Sequence, residues 1–174
     1  NLNLKKIKIG ILGGSFDPAH KGHLAISMEA KKKIGLKKII WAITKKNPFK
    51  KKSKFSISTR IRYCKKIIGK KTFIKVNFYE DIIKSNKTIN LINHIAKNRK
   101  NDIYFLMGAD NLVNFHKWYK WELITQKCNI IVFDRHGYKQ KSLNSKTFKS
   151  LNKKSLTFIK FNKVNISSSK LRKI

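Results

Sequence analysis

The sequence predicts an α/β chain built on an open parallel sheet with helices on both faces. Three observations carry that expectation. The short runs Ile39–Ile43, Ile103–Met107 and Ile130–Phe133 are continuously apolar and Ile7–Leu12 is interrupted by Lys8, as expected of strands largely buried on both faces. Segments with apolar residues at helical spacing lie between them. Suggestive stretches follow the strands: Gly13–His23, Thr44–Asn47 and Gly108–Asp110. Sheets of this kind bind ligands at the carboxyl ends of their strands.

In chain order, Ile7–Leu12 is a strand closed by Gly13-Gly14, and Ser15-Phe16-Asp17-Pro18 turns the chain. A helix is predicted from about Gly22 to Lys33, ended by Gly35. Ile39–Ile43 is the second strand, followed by a lysine-rich loop, 44–55, that contains Asn47-Pro48. Ser58 reads as the cap of a helix over 59–68, with Ile61, Cys64 and Ile68 on one face. Phe73–Phe78 is a strand, and residues 88–97 carry Ile89, Ile92 and Ala96 at helical spacing. Ile103–Met107 is a strand leading into Gly108-Ala109-Asp110. A short helix is expected over 118–125, then a strand at Ile130–Phe133. A last strand at 156–161 and a helical turn at 167–174 close the chain.

With 174 residues, 41% of them hydrophobic, there is material for a core. No repeat or linker divides the chain, so one domain over 1–174 is expected. No apolar run reaches the roughly 18 residues of a membrane span. Residues 1–6 lack the apolar stretch of a signal peptide. Two cysteines, Cys64 and Cys128, make no disulfide framework, which points to a reducing cytoplasm. Forty-two Lys and Arg against eight Asp and Glu give a formal charge of +34. The excess is spread evenly and travels with Ile and Asn. It therefore reads as compositional bias rather than a nucleic-acid interface, although it favours anionic substrates. The few acids are scattered in sequence, without the pattern of a carboxylate cage or a glycosidase pair.

Residues 13–23 read Gly-Gly-Ser-Phe-Asp-Pro-Ala-His-Lys-Gly-His. Glycines let a backbone approach a phosphate closely. His20 and His23 sit at a helix start, where N–H groups and the dipole favour an anion. Their imidazoles could stabilise charge developing on a phosphate. Two other uses compete: a metal site, for which only Asp17 is near, and simple capping of the helix. Farther on, Ile166-Ser167-Ser168-Ser169-Lys170-Leu171-Arg172 offers hydroxyls and a guanidinium suited to a polyphosphate.

Residues 13–23 resemble the G-[ST]-F-D-P-x-H-x-G-H signature of the nucleotidyltransferase superfamily, and Ile166–Arg172 resembles its I-S-S-T-x-[IL]-R signature. Met107-Gly108-Ala109-Asp110-Asn111-Leu112, Phe115-His116, Trp118 and Val132–Tyr138 resemble the bacterial nicotinate mononucleotide adenylyltransferases. The resemblance implies a Rossmann-like, nucleotidyltransferase-type fold. It also implies transfer of AMP from ATP to nicotinate mononucleotide with Mg²⁺, by direct attack and without a covalent intermediate.

Carried over by position, the resemblance places Gly13, Gly14, Ser15, Phe16, His20, His23, Gly108, Asp110, Ser168, Ser169 and Arg172 at ATP. His20, His23 and Arg172 are its catalytic residues. Asp17, Asn47, Thr88, Trp118, Tyr119 and Arg135 are placed at nicotinate mononucleotide, with no protein metal ligands. Three positions depart from the family pattern: Ser169 stands for threonine, Lys45-Lys46 for proline and an amide, and Lys87 for an aromatic. Trp118 has a second reading, in which it pins a short helix to the core together with Trp121. Pantetheine-phosphate adenylyltransferase is the rival within the superfamily, and a basic nucleic-acid-binding protein the rival outside it.

Overall fold

A computed structural model describes residues 5–45, 53–134 and 156–160. In chain order these form β1 (Ile7–Gly14), α1 (Lys21–Ile34), β2 (Lys38–Ile43), α2 (Ile57–Ile68), β3 (Ile74–Asn77) and α3 (Glu80–Ile83). There follow α4 (Thr88–Ala96), β4 (Asn101–Gly108), α5 (Ala109–Asn114), a 3-10 turn (Phe115–Lys117), α6 (Trp121–Lys127), β5 (Asn129–Asp134) and β6 (Leu156–Lys160).

The strands form one sheet in the order β3-β2-β1-β4-β5-β6. Every pairing is parallel. The chain runs outward from β1 to β3 and then crosses back to place β4 on the other side of β1. Loops on the two sides therefore diverge above β1 and β4, which opens a crevice at the carboxyl ends of these strands.

Alternate residues of each strand feed two cores. On one face Ile9, Ile11, Ile40, Phe105, Met107, Ile130 and Val132 pack with Ile89, Ile92 and Ile95 of α4, Leu112 of α5 and Ile124 of α6. On the other, Leu12, Ile39, Trp41, Ile43, Leu106, Ile131 and Phe133 pack with Ile26 and Ala30 of α1 and Cys64 and Ile68 of α2. A strand covered on both sides has no polar face to show, which explains the continuous apolar runs. Gly10 packs closely: a Cβ there would lie 2.8 Å from Cδ1 of the buried Leu36, which would have to move.

Several expectations change at element ends. Ser56, not Ser58, caps α2, its hydroxyl accepting from the Thr59 N–H at 3.2 Å. The helix expected from Trp118 begins only at Trp121. Trp118 is extended at ψ 142°, and Lys120 at φ 51° breaks the path between them. Gly35, at φ 78°, ends α1 as expected. The turns α3 and α5, four and six residues long, are additions. The closing turn expected at 167–174 lies outside the described residues.

Candidate active site

The turn after β1 is held from behind by aromatic rings. Phe16 adopts φ 48°, a left-handed conformation unusual for a bulky residue. Its ring stacks on Trp41 at 5.2 Å and 19°. The His23 ring lies 4.5 Å from Phe16 and 5.9 Å from Trp41. Trp41 is anchored in turn by its indole N–H, which donates to Ser27 Oγ at 2.8 Å. Phe16, expected at ATP, is 1% exposed, and its ring backs the His23 imidazole.

His20 is the N-cap of α1. The Gly22 N–H donates to His20 Nδ1 at 3.0 Å, and the His20 N–H donates to His23 Nδ1 at 3.1 Å. This reciprocal pattern is a capping box made from two histidines. The capping reading is therefore correct as far as Nδ1 is concerned. It does not exhaust the rings, because a neutral imidazole that accepts through Nδ1 carries its proton on Nε2. The two rings are 4.0 Å apart, tilted by 34°. His20 is nearly buried and His23 half-buried.

Gly13 and Gly14 have negative φ, and a Cβ on either would meet protein atoms only at 3.6–3.8 Å. Packing within the protein does not demand glycine at these positions, whereas a ligand lying close over the turn would.

Asp17 was expected at the mononucleotide. Its carboxylate is 2% exposed and accepts the Lys54 N–H at 2.6 Å and the Phe55 N–H at 2.9 Å. In this structure it ties the loop before α2 to the turn after β1. Arg60 of α2 lies beside it, also 2% exposed. Arg60 Nη1 donates to the Ser15 and Thr44 carbonyls at 2.9 and 2.8 Å, and Nη2 donates to the Lys45 carbonyl at 2.8 Å. Burial lowers the Arg60 pKa, and the charges of Asp17 and Glu80 oppose that shift. Glu80 Oε1 also accepts the Lys45 N–H at 2.9 Å. Sequence reading missed both residues. One signal was present: Arg60, Cys64 and Ile68 recur every fourth residue along the buried stripe of α2, which puts an arginine in a core position.

Between β1, β2, α3 and α4 lies a small, partly open cleft. Its walls include Gly13, Tyr79 and Phe105, and its rim includes Ser85, Lys87 and Thr88. Thr88 is the first residue of α4, and no side chain caps that helix. An uncapped helix start beside a lysine suits an anion. Trp118 packs edge-on against Phe105 at 5.9 Å and Phe115 at 5.0 Å. It is partly buried against the core together with Trp121, so the pinning role is real. Through Phe105 it also adjoins the cavity wall. Tyr119 is 52% exposed. Gly108 caps α5 at the end of β4, the strand that pairs with β1, and Asp110 follows, exposed, in the first turn.

The structure thus gathers Gly13, Gly14, Ser15, His20 and His23 at the end of β1. It places Gly108 and Asp110 at the end of the neighbouring strand, and Thr88 in a shared cavity with Gly13. Asn47, Arg135, Ser168, Ser169 and Arg172 lie outside the described residues. Among the described residues no three His, Cys, Asp or Glu side chains come together as metal ligands, and no helix is long and apolar enough to cross a membrane.

Residues 11–174 match the cytidylyltransferase-like family. A probable nicotinate-nucleotide adenylyltransferase from Pelagibacter ubique is 67% identical over 174 residues, covering 100% of this chain and 97% of the relative. One of the same description from Agrobacterium fabrum is 37% identical over 74% of this chain and 70% of its own length. Among solved structures, the Plasmodium falciparum nicotinic acid mononucleotide adenylyltransferase complexed with NaAD superposes with a TM-score of 0.76 at 21% identity. That match covers 96% of this chain and 83% of that one.

Proposed function

The chain belongs to the nicotinate-nucleotide adenylyltransferase family within the cytidylyltransferase-like nucleotidyltransferases, and we propose that it transfers AMP from ATP to nicotinate mononucleotide. The products are deamido-NAD and pyrophosphate. An oxygen of the mononucleotide phosphate attacks the α-phosphorus of ATP. A new P–O bond forms as the bond to the β-phosphate breaks, and pyrophosphate leaves with the electron pair. No enzyme nucleophile is needed. The protein's part is to position the substrates and to stabilise charge on the transferring group.

One observation carries this reading: a pair of imidazoles, fixed through Nδ1 at the end of β1, beside a turn whose two glycines the protein's own packing does not require. In this reading His23 donates from Nε2 to the α-phosphate as charge develops there. His20 holds His23 in place and helps to hold the triphosphate. Gly13, Gly14 and Ser15 lie along the phosphates, and Phe16 steadies His23. Gly108 and Asp110 meet the adenosine ribose, whose two hydroxyls a carboxylate can accept.

The nicotinate ring enters the cavity near Thr88, its carboxylate at the start of α4 beside Lys87, with Trp118 and Tyr119 on the ring side. Asp17 contributes by fixing Lys54 and Phe55, ahead of α2, against the turn after β1. The roles of Asn47, Arg135, Ser168, Ser169 and Arg172 rest on their motifs.

Mg²⁺ would fit this site as an ion carried on the triphosphate, since the Asp17 carboxylate already takes two amides and Asp110 offers one exposed carboxylate just after β4. Magnesium favours phosphate oxygens and water with one or two carboxylates, and it supplies neutralising charge to the leaving pyrophosphate. Two buried free thiols, Cys64 and Cys128, support a cytoplasmic setting.

The test is pyrophosphate release from ATP with each candidate acceptor. Turnover with nicotinate mononucleotide and none with phosphopantetheine is expected. The reverse pattern would overturn the assignment. Tight, steeply salt-dependent RNA or DNA binding without turnover would favour a nucleic-acid role instead.

A further inference from the structure

We propose that Arg60 is a positioning residue for the transfer reaction, setting the separation between the turn that holds ATP and the strand end that faces the acceptor. This rests on the adenylyl-transfer reading above. The guanidinium joins three carbonyls from two loops: Ser15 after β1, and Thr44 and Lys45 after β2. Apart from it, the two strand ends are joined by the Thr44 N–H donating to the Gly14 carbonyl at 2.8 Å. Lys45 is held further by Glu80 through its N–H and by the Ser53 hydroxyl at its carbonyl, 3.1 Å away. Arg60 is therefore the hub from which both loops take their spacing.

The choice of side chain is informative. Lysine is this chain's ordinary cation, and arginine occurs only five times in 174 residues. A single ammonium cannot reach three carbonyls in a fixed plane, whereas a guanidinium can. As a stabiliser of the fold the arrangement is poor. The side chain is 2% exposed, its Nε has no hydrogen-bond partner among the described residues, and the acceptors it finds there are neutral carbonyls. Well-packed apolar residues of similar volume often serve a core as well or better. What the fork uniquely provides is a fixed distance between loops. Direct transfer between two bound substrates depends on that distance, and a misplacement of about 1 Å costs on the order of 10²-fold in rate.

Arg60→Met and Arg60→Lys test this. Each substrate alone keeps its own contacts, so Kd for ATP and for nicotinate mononucleotide, measured separately by calorimetry, should stay within about threefold. In the same variants kcat should fall on the order of 10²-fold. Arg60→Lys should recover little, because charge without the fork does not fix the spacing.

A folded Arg60→Met variant with kcat within twofold of the parent would overturn the proposal. So would parallel loss of both affinities with a large drop in Tm, or failure of both variants to fold, since these assign Arg60 to fold stability alone. The unsubstituted chain in the same assay keeps the two readings apart: if it has no turnover, adenylyl transfer itself has failed.

Discussion

His20 and His23 close the start of α1 through Nδ1, and the contact with phosphate proposed for His23 would be made through Nε2. Removing His23 should therefore show two separable effects. Loss of a charge-stabilising donor lowers kcat by about 10²–10³. Loss of a cap of about 1 kcal/mol lowers Tm by roughly 2–4 °C in a chain of this size. His23→Ala in a steady-state assay and a thermal melt reads both, and a near-normal kcat would contradict the role given to the ring.

The two thiols behave in the opposite way, as inert core groups. Burial pushes both Cys64 and Cys128 up from 9.0 to about 12. Arg60 opposes the shift at Cys64, and a backbone bond from Phe105 opposes it at Cys128. The folded protein holds these protons more tightly than the unfolded chain does. Their contribution to stability is full below pH 9.0 and is lost as pH rises from 9.0 to about 12. A thiol reagent at pH 8 should label the native protein far more slowly than the denatured one. Cys64→Ala with Cys128→Ala should flatten the alkaline loss of denaturation midpoint.

At the scale of elements, the proposed reading gives the start of α4 the choice between acid and amide. Its uncapped amides, Thr88 and the neighbouring Lys87 face an anion better than a neutral carboxamide. Nicotinate mononucleotide should accordingly be preferred over nicotinamide mononucleotide in kcat/KM, and Lys87→Ala should narrow the difference severalfold. Equal values for the two substrates in the parent chain would remove α4 from the argument.

The longer elements were legible in the sequence, since α1, α2 and α4 carry periodic apolar residues and a glycine follows α1 and α2. The turns α3 and α5 were not, because four or six residues hold too little of a helical period to read. Trp118 misled for a related reason. Its apolar bulk suggested a helix start, while its packing against Phe105 and Phe115 is a tertiary contact.

For the whole molecule, a charge of +34 attracts the anionic substrates of this reaction from a distance. Screening shortens that reach, to about 8 Å at 0.15 M salt and 3 Å at 1 M. Raising ionic strength should lower kcat/KM for both substrates while leaving kcat nearly unchanged, a dependence readable in a salt titration of initial rates.

The sequence alone determined the parallel α/β class, the glycine–histidine turn and its pairing with a helix start, because these depend on residues within a dozen positions of one another. Tertiary structure alone decided the strand order, the cavity shared by Gly13 and Thr88, the burial of Phe16 and Asp17, and the clamp at Arg60. Arg60 meets Ser15 across 45 residues, and Asp17 meets Lys54 across 37. The physical reason is that local pattern records which face of an element is apolar. Which loops meet above the sheet is set by the crossover of the chain and by buried polar groups finding partners wherever the fold brings them.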